Sequence, residues 1–467
     1  MWDFNLFSNN TAVITEDGKK IAYTELLKMT GLLAEKIGKR CLVFVLCENK
    51  IGSIIGYSAF LNGRIVPLML DAHLDRALLG DITNNYKPDY YWVPSDVLPE
   101  FPQFSPVFDL CGYTLLKTPY NSEYPLNDEL ALLLTTSGST GSPKFVRQSY
   151  ENISANTEAI AQYLQLDESE RPITTLPMSY TYGLSIINSH FFVGASIILT
   201  EKTLMQKEFW QQIKEYEATS FGGVPYTYEM LDKLRFIRME LPSLRTMTQA
   251  GGKLSSELHK KFAEYAVMKS KHFVVMYGQT EATARMSYLP YQKSLEKCGS
   301  MGIAIPNGRF ELIDSDGQVI SEPNVTGELV YYGRNVTLGY AQCGDDLILG
   351  DERCGMLVTG DMAMRDSDGY YYIVGRKKRF LKIFGSRVNL DEMERIVKSG
   401  FENIDCACAG TDDKMCIFIT DESLTNDVRQ FVSEKTGLNH TAITVKYIAS
   451  VPKSEAGKTL YAKLDNL

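Results

Sequence analysis

Segments with a helical apolar period, such as "YTELLKMTGLLAEKIG" and "IGSIIGYSAFLNG", alternate along the first part of this chain with short apolar runs such as "CLVFVLC". Strands joined through intervening helices pair in parallel rather than as hairpins, so this alternation predicts a layered α/β architecture with mainly parallel sheets. The same rhythm continues through "SANTEAIAQYLQL", "TLMQKEFWQQIKEYE" and "PYTYEMLDKLRFI", separated by the strand-like "ASIILT" and "KHFVVMY". From about Gly327 the texture turns to strand and turn, in "GELVYYG" and "MLVTGDMAMRDSDGYYYIVG", with "DSDG" marking a turn between two strands. The chain of 467 residues is too long for one ordinary core. A charged run "GRKKRF" precedes an α+β tail, so we expect a large N-terminal domain over 1–376 and a small C-terminal domain over 377–467.

Composition narrows the function by exclusion. A net charge of −9 offers no basic face for nucleic acid. The first residues, "MWDFNLFSNN", lack the regions of a secretion signal, and no apolar run is long enough to span a bilayer. The nine cysteines form no C-x-x-C pair, which suits a reducing cytoplasm with thiols acting mostly as small apolar fillers. The five histidines have no ligand spacing, which argues against a zinc site or a Ser-His-Asp triad.

The most informative stretch is "LLLTTSGSTGSPKFVRQSYENI", from Leu132 to Ile153. A Walker A loop opens a helix directly after its lysine. Here Pro143 precedes Lys144 and "KFVRQSY" reads as a strand, with a helix beginning near Glu151, so the loop joins two strands. It still suits phosphate: Gly138 and Gly141 let backbone N–H groups converge, Ser137, Ser139, Thr140 and Ser142 add hydroxyls, and Lys144 adds a charge.

"TSGSTGSPK" resembles the signature loop of the adenylate-forming superfamily of AMP-binding enzymes, which includes acyl-CoA synthetases, peptide synthetase adenylation domains and luciferase. Further blocks resemble that family in the same order: "YGQTEA" (277–282), "GELVYYGRNVTLGY" (327–340), "TGDMAMRDSDGYYYIVGRKKRFLKIFGSRVNLDEMER" (359–395) and "PKSEAGK" (452–458). The resemblance implies that an acid is joined to the α-phosphate of ATP, releasing pyrophosphate, and that a thiol then takes the acyl group. It assigns Thr136, Ser137, Gly138, Ser139, Thr140, Gly141 and Lys144 to the β- and γ-phosphates. Tyr277 would lie against adenine within the nucleotide-binding run Tyr277, Gly278 and Gln279, Thr280 would touch the α-phosphate, and Glu281 would hold Mg²⁺. Gly251 and Gly252 in "QAGG" would wall the adenine. Asp361 would accept the ribose hydroxyls, unless it simply caps its turn, and Arg376 would reach the same ribose. Lys458 would bridge the attacking carboxylate and the α-phosphate, delivered by a small domain that moves about a hinge at Lys378.

The segment "LPMSYTYGL" (176–184) departs from the family pattern, with Tyr180 where many acyl-CoA synthetases carry histidine and amino-acid-activating members tend to carry aspartate. A buried ammonium without a carboxylate is costly, so this favours a carboxylic acid over an amino acid. Tyr180, Tyr182, Gly183, Gly223, Tyr226 and Lys253 are the expected pocket residues, with Lys253 a partner for a second carboxylate or polar group; Tyr180 as a mere packing residue stays open. The expected partners are a small carboxylic acid, ATP with Mg²⁺, and coenzyme A or the phosphopantetheine of a separate carrier protein. Two alternatives stay open: an amino-acid-activating enzyme that loads a carrier protein, and a non-catalytic nucleotide- or acyl-binding protein of the same fold.

Overall fold

The computed structural model describes residues 1–121, 124–135, 144–384, 386–401, 404–453 and 459–464, with backbone alone at 378, 380, 382, 386, 387 and 462. Two compact units emerge: one takes most of the chain up to Arg309 together with Tyr331–Leu357, the other Phe310–Val330 and the chain from Val358 onward.

In the first unit, strands Leu42–Cys47, Val66–Asp71, Tyr90–Pro94 and Leu130–Thr135 form the parallel centre of an eight-stranded sheet. Leu42–Cys47 is buried on both faces, which explains its unbroken apolar run. Parallel order stops at the margins: Tyr113–Lys117 pairs antiparallel on one side, and Phe145–Ser149 and then Gly339–Ala341 continue antiparallel on the other. The short connection from Leu130–Thr135 to Phe145–Ser149 suits the antiparallel step between those two strands. A second sheet has parallel strands Ser220–Gly223, Thr246–Gln249 and His272–Tyr277 at its start, then two short antiparallel strands. The strand expected over "ASIILT" shrinks to Ile197–Ile198, and the helix expected over "PYTYEMLDKLRFI" ends at Lys233, with Arg235 at φ 56°.

Strands Arg309–Ile313, Gly327–Tyr332, Met356–Arg365 and Tyr371–Arg376 form one sheet, and the "DSDG" turn connects the last two. The tail builds its own core from Leu381, Ile383, Val388, Val397, Ile417 and Val428, beneath helices Leu390–Gly400 and Thr425–Thr436. Arg379 is pinned there: it donates to Glu394 at 2.6 Å and to the Cys408 carbonyl at 2.9 Å, and it stacks 3.6 Å from the Tyr461 ring.

All nine cysteines are free. Cys41, Cys47, Cys406 and Cys408 are buried fillers, whereas Cys111 and Cys354 are exposed, so the filler reading does not extend to those two. Among the described residues no helix is long and apolar enough to cross a membrane.

His190, on the helix Thr181–Phe192, donates from Nδ1 to the Ile186 carbonyl at 2.7 Å, while its Nε2 is buried without a partner among the described residues. Burial, helped by the charge of Arg285, pushes its pKa down to about 4. The unfolded chain takes up this proton near pH 6.5, the native state only near 4, so stability is full above pH 6.5 and falls on acidification through that window. We expect a loss of about 2 kcal/mol by pH 5 from this group alone. His190→Asn keeps the donor and should flatten urea-unfolding midpoints measured between pH 7 and pH 5. Burial lowers His259 and His272 as well, so a smaller slope should persist. A variant profile parallel to the parent's would show that His190 does not contribute.

Candidate functional site

The strand Phe145–Ser149 and the helix Tyr150–Leu164 start where the sequence places them, so Lys144 enters as the last residue of a strand-to-strand loop. Residues Thr136, Ser137, Gly138, Ser139, Thr140 and Gly141 lie outside the described residues, as does Lys458. The Lys144 ammonium sits 3.8 Å from the centroid of the Tyr340 ring, and the Arg353 guanidinium lies 4.6 Å from the same ring. The Tyr340 hydroxyl donates to Glu281 Oε1 at 2.7 Å. Burial first, then the charge of Glu281, pushes the Tyr340 hydroxyl up to about 12, so it remains a donor at neutral pH. Two cations flanking one aromatic ring repel each other, and the π face together with the nearby carboxylate offsets that repulsion.

Tyr340 is placed by Arg147, whose side chain is fully buried. Arg147 donates from Nε to the Tyr340 carbonyl at 3.0 Å, from Nη1 to the Gly350 carbonyl at 3.2 Å and to the Leu349 carbonyl, and from Nη2 to Glu352. One side chain therefore ties the edge strand Gly339–Ala341 to the segment that carries Arg353.

The "YGQTEA" block leaves the strand His272–Tyr277 and folds back tightly. A Cβ on Gly278 would stand 1.6 Å from the Ala284 carbonyl oxygen, so only glycine fits. Thr283 and Ala284 hold φ of 52° and 92°, strained values for residues with a Cβ. Asn335 holds the turn in place: its Nδ2 donates to the carbonyls of Ala282 at 2.8 Å and Arg285 at 3.1 Å, while its own carbonyl accepts from Thr283 Oγ1 at 2.8 Å. The Glu281 carbonyl accepts from Thr337 N and Oγ1, each at 3.0 Å, and from Arg353 Nη1 at 3.1 Å. The Thr280 carbonyl accepts from Gln148 at 3.4 Å, and Gln279 Nε2 donates to the Tyr277 hydroxyl at 3.2 Å. Glu281 Oε2 makes no hydrogen bond among the described residues, leaving one carboxylate oxygen for a hard cation. No cluster of three or more potential metal ligands occurs among the described residues.

The residues expected from sequence to wall the acid are placed as follows. Tyr180 and Tyr182 pack edge to face at 6.3 Å within a cluster containing Leu176, Val224, Ala250 and Met276. Gly251 adopts φ +83°, and a Cβ there would stand 2.7 Å from the Tyr180 hydroxyl. A Cβ on Gly183 would meet the Pro177 carbonyl at 2.4 Å, and one on Gly223 would meet Thr227 at 2.8 Å. Gly252 and Lys253 are exposed, and Tyr226 is half exposed. In the second unit, Asp361 and Arg376 are cross-strand partners, with Arg376 Nε 3.5 Å from Asp361 Oδ1. Asp361 is buried and Arg376 exposed. Lys378 lies in the short turn Lys377–Arg379, and its side chain is outside the described residues.

Sequence reasoning passed over Tyr340, Arg353, Asn335, Arg147 and Arg285. Tyr340 and Asn335 stand inside the quoted block 327–340, but only the fold brings them to Glu281.

Comparison with known proteins follows the same line. The chain is 28% identical over 349 residues to peroxisomal OPC-8:0-CoA ligase 1 of Arabidopsis thaliana, covering 71% of this chain and 63% of that one. It is also 28% identical over 360 residues to a long-chain-fatty-acid–CoA ligase of Yersinia pestis, covering 73% and 62%. It thus spans less than two thirds of the length of these relatives. The fold matches that of O-succinylbenzoate coenzyme A synthetase from Bacillus subtilis, solved with AMP, at a TM-score of 0.81 and 20% identity, over 100% of this chain and 98% of that one. The sequence profile of the AMP-binding enzymes matches residues 3–341, most of the chain, and takes in Lys144, the strained turn at Glu281 and Tyr340. The chain belongs to the AMP-binding enzyme family.

Proposed function

We propose that this protein is an ATP-dependent acid–thiol ligase, which activates a carboxylic acid as an acyl-adenylate and transfers the acyl group to coenzyme A or a carrier-protein phosphopantetheine. The observation that carries the reading is the convergence of Lys144, Glu281, Tyr340 and Arg353, from four separate segments, into one hydrogen-bonded and cation–π cluster. Coenzyme A ligases among the relatives support coenzyme A as the acceptor.

A carboxylate oxygen of the acid attacks the α-phosphorus, forming a C(O)O–P bond while the bond to the β-phosphate oxygen breaks and pyrophosphate leaves. The carboxylate is already ionised at neutral pH, so no general base is required. The protein's task is to hold two anions in line and neutralise their repulsion. Lys144 would face the outer phosphates with the loop 136–141, Thr280 would contact the α-phosphate, and Lys458 would bridge it to the carboxylate. Glu281 would hold Mg²⁺, which would supply positive charge to the phosphates. Tyr277, Gly278 and Gln279 with Gly251 and Gly252 would line the adenine, and Asp361 with Arg376 the ribose. A thiol sulfur then attacks the acyl carbon, the C–S bond forms, AMP leaves with the former bridging oxygen, and the thiol proton passes to solvent. We also assign residues 377–467 to a small domain hinged at Lys378, a reading supported by the self-contained core from Leu381 to Val428. Nine free cysteines suit the cytoplasm.

Pyrophosphate release with Mg-ATP, measured across carboxylic and amino acids and followed by a thiol-acceptor assay, tests this reading. No release with any acid would leave a nucleotide-binding protein, and release confined to amino acids would overturn the substrate class. Tyr340→Phe keeps the ring between Lys144 and Arg353 but removes the donor to Glu281. The Mg²⁺ concentration for half-maximal pyrophosphate release should rise about tenfold, in the range found for partners of metal ligands. An unchanged Mg²⁺ titration would refute the role given to this hydroxyl.

A further inference from the structure

Arg285 is 2% exposed, yet it forms no ion pair with any carboxylate among the described residues. Its Nε donates to Ser185 Oγ at 3.1 Å, and its Nη1 donates to the Tyr163 hydroxyl at 3.0 Å and contacts Met276 Sδ at 3.3 Å. The guanidinium carbon lies 5.1 Å from the Tyr182 ring centroid. Nη2 has no acceptor among the described residues. Every partner is neutral: burial raises the Tyr163 and Tyr182 hydroxyls and holds His190 uncharged. A buried cation surrounded by neutral dipoles is costly, and a planar guanidinium with donors to spare is shaped for a carboxylate.

The residue is firmly positioned. Its carbonyl accepts from Asn156 at 2.8 Å and from Asn335 at 3.1 Å, directly after the strained turn that carries Glu281. Its neighbours Tyr163, Tyr182 and Met276 belong to the aromatic cluster that includes Tyr180, Val224 and Ala250, the residues expected to wall the acid. Lys253, expected from sequence to meet a second carboxylate, is exposed, whereas Arg285 lies inside the cluster.

We propose that Arg285 is a specificity-determining residue that receives a second carboxylate on the acid, so that the preferred substrates are small diacids activated at one end. This rests on the ligase reading and sharpens it. A fixed cation in the pocket also repels the ammonium of an amino acid.

The test compares α,ω-diacids of graded length, and phthalate, with their mono-methyl esters, in the parent enzyme, Arg285→Met and Arg285→Lys. In the parent, pyrophosphate release should favour one diacid over its half-ester by about 10²-fold in kcat/KM, in line with a charge-assisted pair. Arg285→Met should lose that preference mainly through KM for the diacid, with the half-ester unchanged or improved, and Arg285→Lys should recover part of it. The melting temperature of the unliganded Met variant should stay level or rise, because an unpaired buried charge has been removed; a steep fall would mark a purely structural arginine and overturn the proposal. A parent that prefers the half-esters would also overturn it while leaving the ligase reading intact. Should no acid release pyrophosphate, diacid-induced thermal stabilisation of the parent, absent in Arg285→Met, still supports the pocket; equal or no stabilisation refutes it.

Discussion

Lys458→Ala should release pyrophosphate from Mg-ATP and its acid about 10²–10³-fold more slowly, the usual consequence of deleting one pre-aligned transition-state charge. In the proposed reaction the reacting groups are a carboxylate and a triphosphate, both anionic, and charge builds on the bridging and non-bridging oxygens as the new bond forms. A cation aimed at that position acts more on the transition state than on the bound reactants, so kcat should fall further than KM rises. In the proposed role the second half-reaction would not need this lysine, because the acyl-adenylate is already formed. Conversion of added acyl-adenylate and thiol to thioester should therefore stay within a few-fold of the parent. Lys458→Arg should rescue poorly, since a planar fork cannot replace a compact ammonium. Equal loss in both half-reactions would point to misfolding of the tail, and full-speed adenylation would remove Lys458 from the chemistry.

Arg147→Met should destabilise the protein by about 4 kcal/mol, whereas Glu352→Gln should cost less than about 1 kcal/mol. The asymmetry follows from exposure: the Arg147 side chain is 0% exposed and that of Glu352 54%. Water already screens Glu352, so the ion pair itself contributes little. Removing Arg147 instead takes the side-chain donor from the carbonyls of Tyr340, Leu349 and Gly350 at a part-buried edge, while the Leu338 carbonyl keeps the Glu352 backbone N–H, and it empties a fully buried side-chain site. The first unfolding transition in urea reads both variants, and the opposite ranking would mean that the ion pair, and not carbonyl satisfaction, holds this edge. Because Arg147 also sets Tyr340, the Met variant should share the weakened Mg²⁺ response expected of Tyr340→Phe.

Some of the backbone shapes in this region could be read from residue types alone. Glycines 183, 251 and 278 stand where a Cβ would collide with a carbonyl oxygen or a hydroxyl, so steric exclusion reaches the sequence as an invariant demand for one residue type. Lys144 drew attention through the glycine- and hydroxyl-rich loop before it, and Glu281 only through the resemblance of "YGQTEA" to a family motif. The alternation of periods likewise marked the parallel centre around Leu42–Cys47 and the helices beside it.

The antiparallel margins were not legible in that way, nor was the cluster around Tyr340. The strand Gly339–Ala341 is three residues long and carries no periodic signal, yet its pairing with Phe145–Ser149 brings Tyr340 between Lys144 and Arg353. Nothing in the sequence singled out Arg285, and only packing against Tyr163, Tyr182 and Ser185 makes it a buried cation without an acid among the described residues. Local sequence thus determined which backbone shapes and which reactive groups this protein possesses, because sterics and intrinsic charge act within a few residues. Tertiary structure decided which groups meet and which are stripped of water, because strand pairing and desolvation depend on residues far apart in the chain.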